Sequence, residues 1–395
     1  MKTLAGLLSI CVMITLAARD AYGIPAFARK YNMSCTTCHQ PFPKLKPYGN
    51  EYGGKGFQLP DGEPARATRE TGDELLQLMR ELPLAIRFDG HLRWLPQEEG
   101  KTDFQTPYVL KILSGGQIAK NVSYYLYFML SEQGEVAGIE DAWVMFSEVF
   151  NRDLSVTVGQ FQVSDPLFKR ELRLTLQDYD IYKVRPGKSR ANLSYDRGLM
   201  VAQGLPWQTG IVLQVLNGSG IGSLDGDKAL DTDRFKNVTA RIAKEFGEHI
   251  RIGLFGYVGK EEDESTGGLN SLWIAGPDLT FAFGKFELNL QYLDRRDSNP
   301  DLLVDGGTES KTRGGFAELI FLPDGDASRW YGVALYNGIS SDYGGTGSAG
   351  SPPDSETGTL HLGYLLARNL RLVSEYTYDF RLKANGLSLG FIAAF

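Results

Sequence analysis

Residues 285–293 read "KFELNLQYL". Successive side chains of a strand point to opposite faces. Phe286, Leu288, Leu290 and Tyr292 therefore share one face, and Glu287, Asn289 and Gln291 the other. "NLRLVSEYTYDF" (369–380) sets Leu370, Leu372, Tyr376, Tyr378 and Phe380 against Arg371, Glu375, Thr377 and Asp379 in the same way. "HIRIGLFGYVG" (249–259) and "NVSYYLYFML" (121–130) follow suit. A soluble sandwich shows this alternation too, so the links between such segments must decide.

The links sort into two kinds. Short ones, "NRD" (151–153), "FGEH" (246–249), "FGK" (283–285) and "ARN" (367–369), alternate with long polar ones at 96–106, 163–197, 217–234, 259–268, 294–311 and 338–357. Short turns at one end and long loops at the other are the mark of a transmembrane antiparallel β-barrel. About sixteen strand-length segments fit between residues 83 and 395, an even number that returns the chain to its starting side. The last, "GLSLGFIAAF", alternates Leu387, Leu389, Phe391 and Ala393 and ends on Phe395, as the assembly signal of bacterial outer-membrane barrels does. Trp94, Trp143, Trp207, Trp273 and Trp330 are expected in the aromatic girdles at the two membrane interfaces.

Composition agrees. The 395 residues include 46 Gly, 19 Tyr and 21 Phe, and mean hydropathy is −0.22, far from that of a helical membrane protein and typical of turn-rich all-β chains. With 41 Lys and Arg against 48 Asp and Glu, nucleic acid is not an expected partner. The acidic loop stretches "QEEGKTD" (97–103), "LDGDKALDTD" (224–233), "GKEEDESTGG" (259–268) and "RRDSNPDLLVD" (295–305) either concentrate cations at the barrel mouth or are solvated surface.

The N-terminus, "MKTLAGLLSICVMITLAARDAYG", has Lys2 before an apolar run, with small residues at Ala21 and Gly23. That pattern predicts an export signal over residues 1–23, cleaved after Gly23. Cys11 leaves with it, since the bulky Ile10 argues against a lipoprotein site. Of the three cysteines, Cys35 and Cys38 then remain.

Cys35-Thr36-Thr37-Cys38-His39 fits C-x-x-C-H, the attachment site of c-type haem. Two thiols three positions apart reach the two haem vinyl groups, and the next residue brings an imidazole beneath the iron. A redox dithiol would ask for a thioredoxin-like context, and a closed zinc site for a fourth ligand, whereas His91, His249 and His361 are scattered. For the sixth iron position the sequence offers Met79 in "GDELLQLMREL", with His91 as the alternative; Met33 lies too near the attachment site. Residues 24–82 thus read as a small monohaem cytochrome c-like domain, too short to be stable without its cofactor or the barrel.

The stretch "PAFARKYNMSCTTCHQPFPKLKPYGNEYGGKGFQ" resembles the N-terminal region of fused monohaem cytochrome–porins, outer-membrane proteins best known from iron-oxidising bacteria. The matching positions are Pro25, Phe27, Ala28, Arg29, Cys35, Cys38, His39, Phe42, Pro43, Leu45, Tyr48 and Gly49. The resemblance implies one covalent haem c on an outer-membrane porin-like barrel. It also implies electron transfer between an extracellular donor such as Fe(II) and a periplasmic cytochrome. Across residues 83–395 only the architecture is shared. The rival expectations are a diffusion porin with a haem-bearing plug or redox gate, and a peroxidase-like haem enzyme. Porins often assemble as homo-oligomers.

Overall fold

The computed structural model describes residues 26–41, 43–59, 68–73, 75–76, 78–97, 100–222, 229–231, 233–345 and 353–395. The expected signal at 1–23, and Pro25 and Phe42 of the resemblance, lie outside the described residues.

Sixteen strands close into one antiparallel barrel. They are β1 (Leu84–Leu95), β2 (Lys101–Ala119), β3 (Val122–Glu132), β4 (Gly138–Phe146), β5 (Leu154–Gln162), β6 (Tyr195–Leu205), β7 (Thr209–Leu216) and β8 (Asn237–Phe246). There follow β9 (Ile250–Asp263), β10 (Gly268–Phe283), β11 (Phe286–Asp297), β12 (Ser310–Phe321), β13 (Trp330–Ser341), β14 (Ser355–Ala367), β15 (Leu370–Asp379) and β16 (Ala384–Ala394). Each pairs with its sequence neighbours, and β16 closes on β1 through pairs such as Leu389 with Leu92. Phe395 completes the seam: its N–H donates to Ile86 O at 2.9 Å and its carbonyl accepts from Ile86 N at 2.7 Å. Among the described residues no helix is long and apolar enough to cross a membrane.

Burial runs opposite to that of a soluble protein. On β11, Asn289 and Gln291 are 5% and 4% exposed, whereas Phe286 and Tyr292 are 38% and 48% exposed. The polar face looks into the lumen and the apolar face outward, the arrangement a lipid-facing barrel requires. Phe281, Phe283, Phe286 and Phe321 stack in a row, with centroids 4.9–5.4 Å apart, beside the short β10–β11 turn and form part of an aromatic girdle. Trp94, Trp207, Trp273 and Trp330 are exposed as expected, but Trp143 is not. It faces the lumen and stacks on Phe57 at 6.1 Å, because the N-terminal segment supplies it with an apolar partner there.

Most of the long links are shorter than the sequence suggested, two of them markedly. Leu95 pairs with Lys101 and Asp263 with Gly268. The polar stretches 96–106 and 259–268 are therefore mostly ladder, since backbone pairing does not need apolar side chains. The long link between β5 and β6 differs more. Residues 163–194 fold into the lumen rather than standing in solvent, because Val163, Leu167, Leu174, Tyr182 and Leu193 bury completely or nearly so. This inner loop is fastened to the opposite wall. Glu375 accepts from Leu176 N (2.6 Å) and Gln177 N (2.8 Å), and Asn337 donates to Asp178 O (3.0 Å). Glu261 accepts from the backbone of Arg190 (2.6 Å) and Ala191 (2.7 Å). Arg295, paired with Asp297 at 2.7 Å, donates to Ala191 O at 2.7 Å. Glu261 and Asp297, which the sequence placed among the cation-attracting loop acids, are thus structural anchors.

Candidate cofactor site in the barrel mouth

Residues 26–59 occupy the end of the barrel that carries the short turns, the periplasmic end of such barrels. Lys44 pairs with Glu287 on β11 at 2.6 Å, and Lys46 with Asp326 in the β12–β13 turn at 2.8 Å. Gln58 donates to Ser147 Oγ in the β4–β5 turn at 3.3 Å. An aromatic cluster joins segment to wall: Phe27 stacks on Phe57 (4.9 Å) and meets Tyr52 edge-on (5.4 Å), and Phe57 reaches Tyr125 (5.1 Å). This small segment therefore borrows its core from the barrel, as its length demands.

Local chemistry shapes the C-x-x-C-H stretch. After α1 (Ala26–Tyr31), Ser34 Oγ accepts from Thr36 N and caps a single 3₁₀ turn, Cys35–Thr37. His39 N donates to Cys35 O at 2.9 Å. Residues three and four apart on a helical turn share a face, so Cys35, Cys38 and His39 point the same way. All three line a cavity of about 1200 Å³ in the lumen. Pro47 starts α2 (Pro47–Gly54) at a position where its missing N–H costs nothing. Gly49 lets that helix lie directly on the turn, since a Cβ there would fall on Cys38 O and Leu45 Cδ2.

The His39 ring is oriented. Its Nδ1 donates to Pro43 O at 3.0 Å, which leaves the lone pair of the neutral ring on Nε2. Burial lowers the ring's pKa despite the backbone carbonyls of Pro43 and Lys44, so the neutral, metal-ligating form is favoured. Burial raises both thiols, for Cys35 against the nearby charge of Arg368 and for Cys38 with help from Cys35. Reactive dithiols have lowered values, the reverse of the direction here. Among the described residues no group of three or more His, Cys, Asp or Glu is placed to hold a metal ion directly. A haem suits the site: two unpaired thiols, an oriented imidazole, and a cavity roomier than the ~300–1,000 Å³ usual for small ligands.

The other expected ligands lie elsewhere. Met79 belongs to a two-residue ladder, Leu78–Met79 against Thr68–Arg69, and sits beside Gly116 of β2. His91 is buried in the lumen wall of β1, edge-on to Tyr108 at 5.0 Å. Neither lines the cavity, whereas Met33, Met145, Met200 and His249 do. Three of these four come from barrel elements, and nothing in the sequence shows that they fold toward the C-x-x-C-H segment. His249 is the exception in part, because its short turn belongs to the periplasmic end.

Neither a protein-family profile nor a curated protein sequence matches the chain. Solved structures do. An anion-selective porin from Comamonas acidovorans aligns at a TM-score of 0.57 and 12% identity, covering 80% of this chain and 99% of the porin. The outer membrane channel DcaP of Acinetobacter baumannii gives 0.55 and 14%, covering 79% and 96%. The trimer form of OmpT from Vibrio cholerae gives 0.52 and 11%, covering 79% and 98%. With its lipid-facing wall and polar lumen, the chain is a bacterial outer-membrane barrel with the sixteen-stranded fold of the porins.

Proposed function

We propose that the chain carries one haem c, joined to Cys35 and Cys38 through thioethers and ligated by His39. We propose further that it passes electrons across the outer membrane between an external donor, such as Fe(II), and a periplasmic carrier such as a cytochrome. The observation that carries this reading is the union, on one cavity wall, of two unpaired thiols with an imidazole held by Pro43 O. A bound haem supplies a one-electron iron couple. The chain's own residues hold and enclose it. His39 presents Nε2, the Phe27–Tyr52–Phe57 cluster seats the segment on the barrel, and residues 163–194 stand between the cavity and the outer mouth. Were a haem bound, Met145, Met200 and His249 on the barrel side of the cavity could offer it a further donor, in preference to Met79 or His91.

A second reading, a diffusion porin with residues 26–59 as plug or redox gate, is favoured by the likeness to solved porins and channels. Homo-oligomeric assembly, which the trimer form of OmpT exemplifies, belongs with either. Proteoliposomes separate the two. Reduction of enclosed oxidised cytochrome c by external Fe(II), without leakage of small solutes, supports electron transfer. Free leakage with no internal reduction supports the porin.

A further inference from the structure

The wall of the cavity that the C-x-x-C-H turn lines contains a cation without a counter-ion. Arg251, second residue of β9, lines the cavity. Its Nε is buried with no hydrogen-bond partner, and its Nη2 makes one long bond, 3.3 Å to Thr280 Oγ1. The guanidinium rests over the Phe168 ring at 5.6 Å. Among the described residues no carboxylate lies within ion-pair distance of it.

Of the neighbouring acids, Glu245 is the cross-strand partner of Arg251 but is exposed and makes no ion pair with it, and the others are committed elsewhere. Asp278 holds Arg241 at 2.6 Å and Glu287 holds Lys44 at 2.6 Å. Glu318 accepts from Tyr179 (3.0 Å) and Asn289 (3.0 Å). Four other inward cations of the cavity are matched: Arg87 with Asp89, Lys111 with Glu171, Lys169 with Asp165, and Arg173 with Asp178; Arg368 lines the cavity too, on the side of Cys35. A desolvated guanidinium without an anion is costly, and its planar fork fits a carboxylate.

We infer that Arg251 binds a carboxylate of the cofactor, a haem propionate, and thereby positions the ring that Cys35, Cys38 and His39 would hold. The inference rests on the haem reading above. It makes the barrel wall a part of the redox site, not merely its container.

The test is potentiometric. Full-length parent, Arg251→Gln and Arg251→Lys are produced in a host with cytochrome c maturation, and barrel folding is checked by heat-modifiable migration. Intact mass scores haem attachment, and midpoint potential is measured as a function of pH. With Arg251→Gln the haem stays attached, the potential falls because a positive charge near the iron is gone, and a pH slope appears near neutrality as the unpartnered propionate titrates. Arg251→Lys keeps the charge but loses the fork, so its potential lies between the two and the slope persists; this variant decides the matter if the Gln variant does not fold. Haem-bearing variants with the parent's potential and pH profile overturn the role of Arg251 alone. A parent without covalent haem overturns this inference together with the haem reading.

Discussion

Gly49 shows how tightly the C-x-x-C-H turn is built. Its missing side chain lets α2 lie on the carbonyl of Cys38, one residue before His39. Gly49→Ala must push the helix away, and such overpacking costs ~1–3 kcal/mol. The expected outcome is faster proteolysis within residues 26–59 and a lower yield of haem-bearing chain, with barrel migration on gels unchanged. Cys35, Cys38 and His39 were legible in the sequence because their geometry is local: one turn fixes all three. Arg251 and His249 were not, because only barrel closure brings them to face a segment some two hundred residues earlier. Trp143 was misread for the same reason. A tryptophan in a strand looks the same whether it meets lipid or, as here, Phe57.

The loop inside the lumen is held by charge. Asp178 accepts from Arg170 (2.5 Å) and lies near Lys183 (2.6 Å) and Arg173 (3.7 Å). Burial works to raise its pKa, but Arg173, Arg170 and Lys183 outweigh burial and hold the carboxylate well below its usual range. An unfolded Asp titrates at about 3.9. The stabilisation is therefore complete above that pH and is lost as pH falls through the depressed folded value. Channel conductance should stay flat from neutral pH down to about 5 and rise only in stronger acid. Asp178→Asn leaves three cations around a neutral amide, a loss of roughly 3 kcal/mol for a buried cluster. This variant should show raised conductance and loop cleavage already at neutral pH. Glu375→Gln weakens the charge-assisted bonds from Leu176 N and Gln177 N and should loosen the same loop to a smaller extent. In the sequence this loop looked solvated because it is long and rich in charge. Its Leu167, Phe168, Leu174, Tyr179, Ile181 and Tyr182, all buried, were the signal that it turns inward.

The barrel was the most legible part, and the reason is physical. A wall with lipid outside and polar side chains inside imposes a period of two on every strand, and unequal turn lengths report which end is which. The approximate strand number and the antiparallel barrel followed from those two regularities. The ends of the ladders did not, since pairing continues beyond the bilayer without apolar side chains. Phe395 ties the seam through two backbone bonds to Ile86 and is half exposed to lipid. Deleting it should lower the amount of heat-modifiable barrel recovered from the outer membrane. How the cavity would be filled depends on a covalent step that no folding regularity records, so the intact mass of the purified outer-membrane chain tests it most directly. From a host competent in cytochrome c maturation, we expect the mass of the exported polypeptide plus one haem, with neither Cys35 nor Cys38 open to alkylation. The bare polypeptide mass, with both thiols alkylated after unfolding, would contradict it.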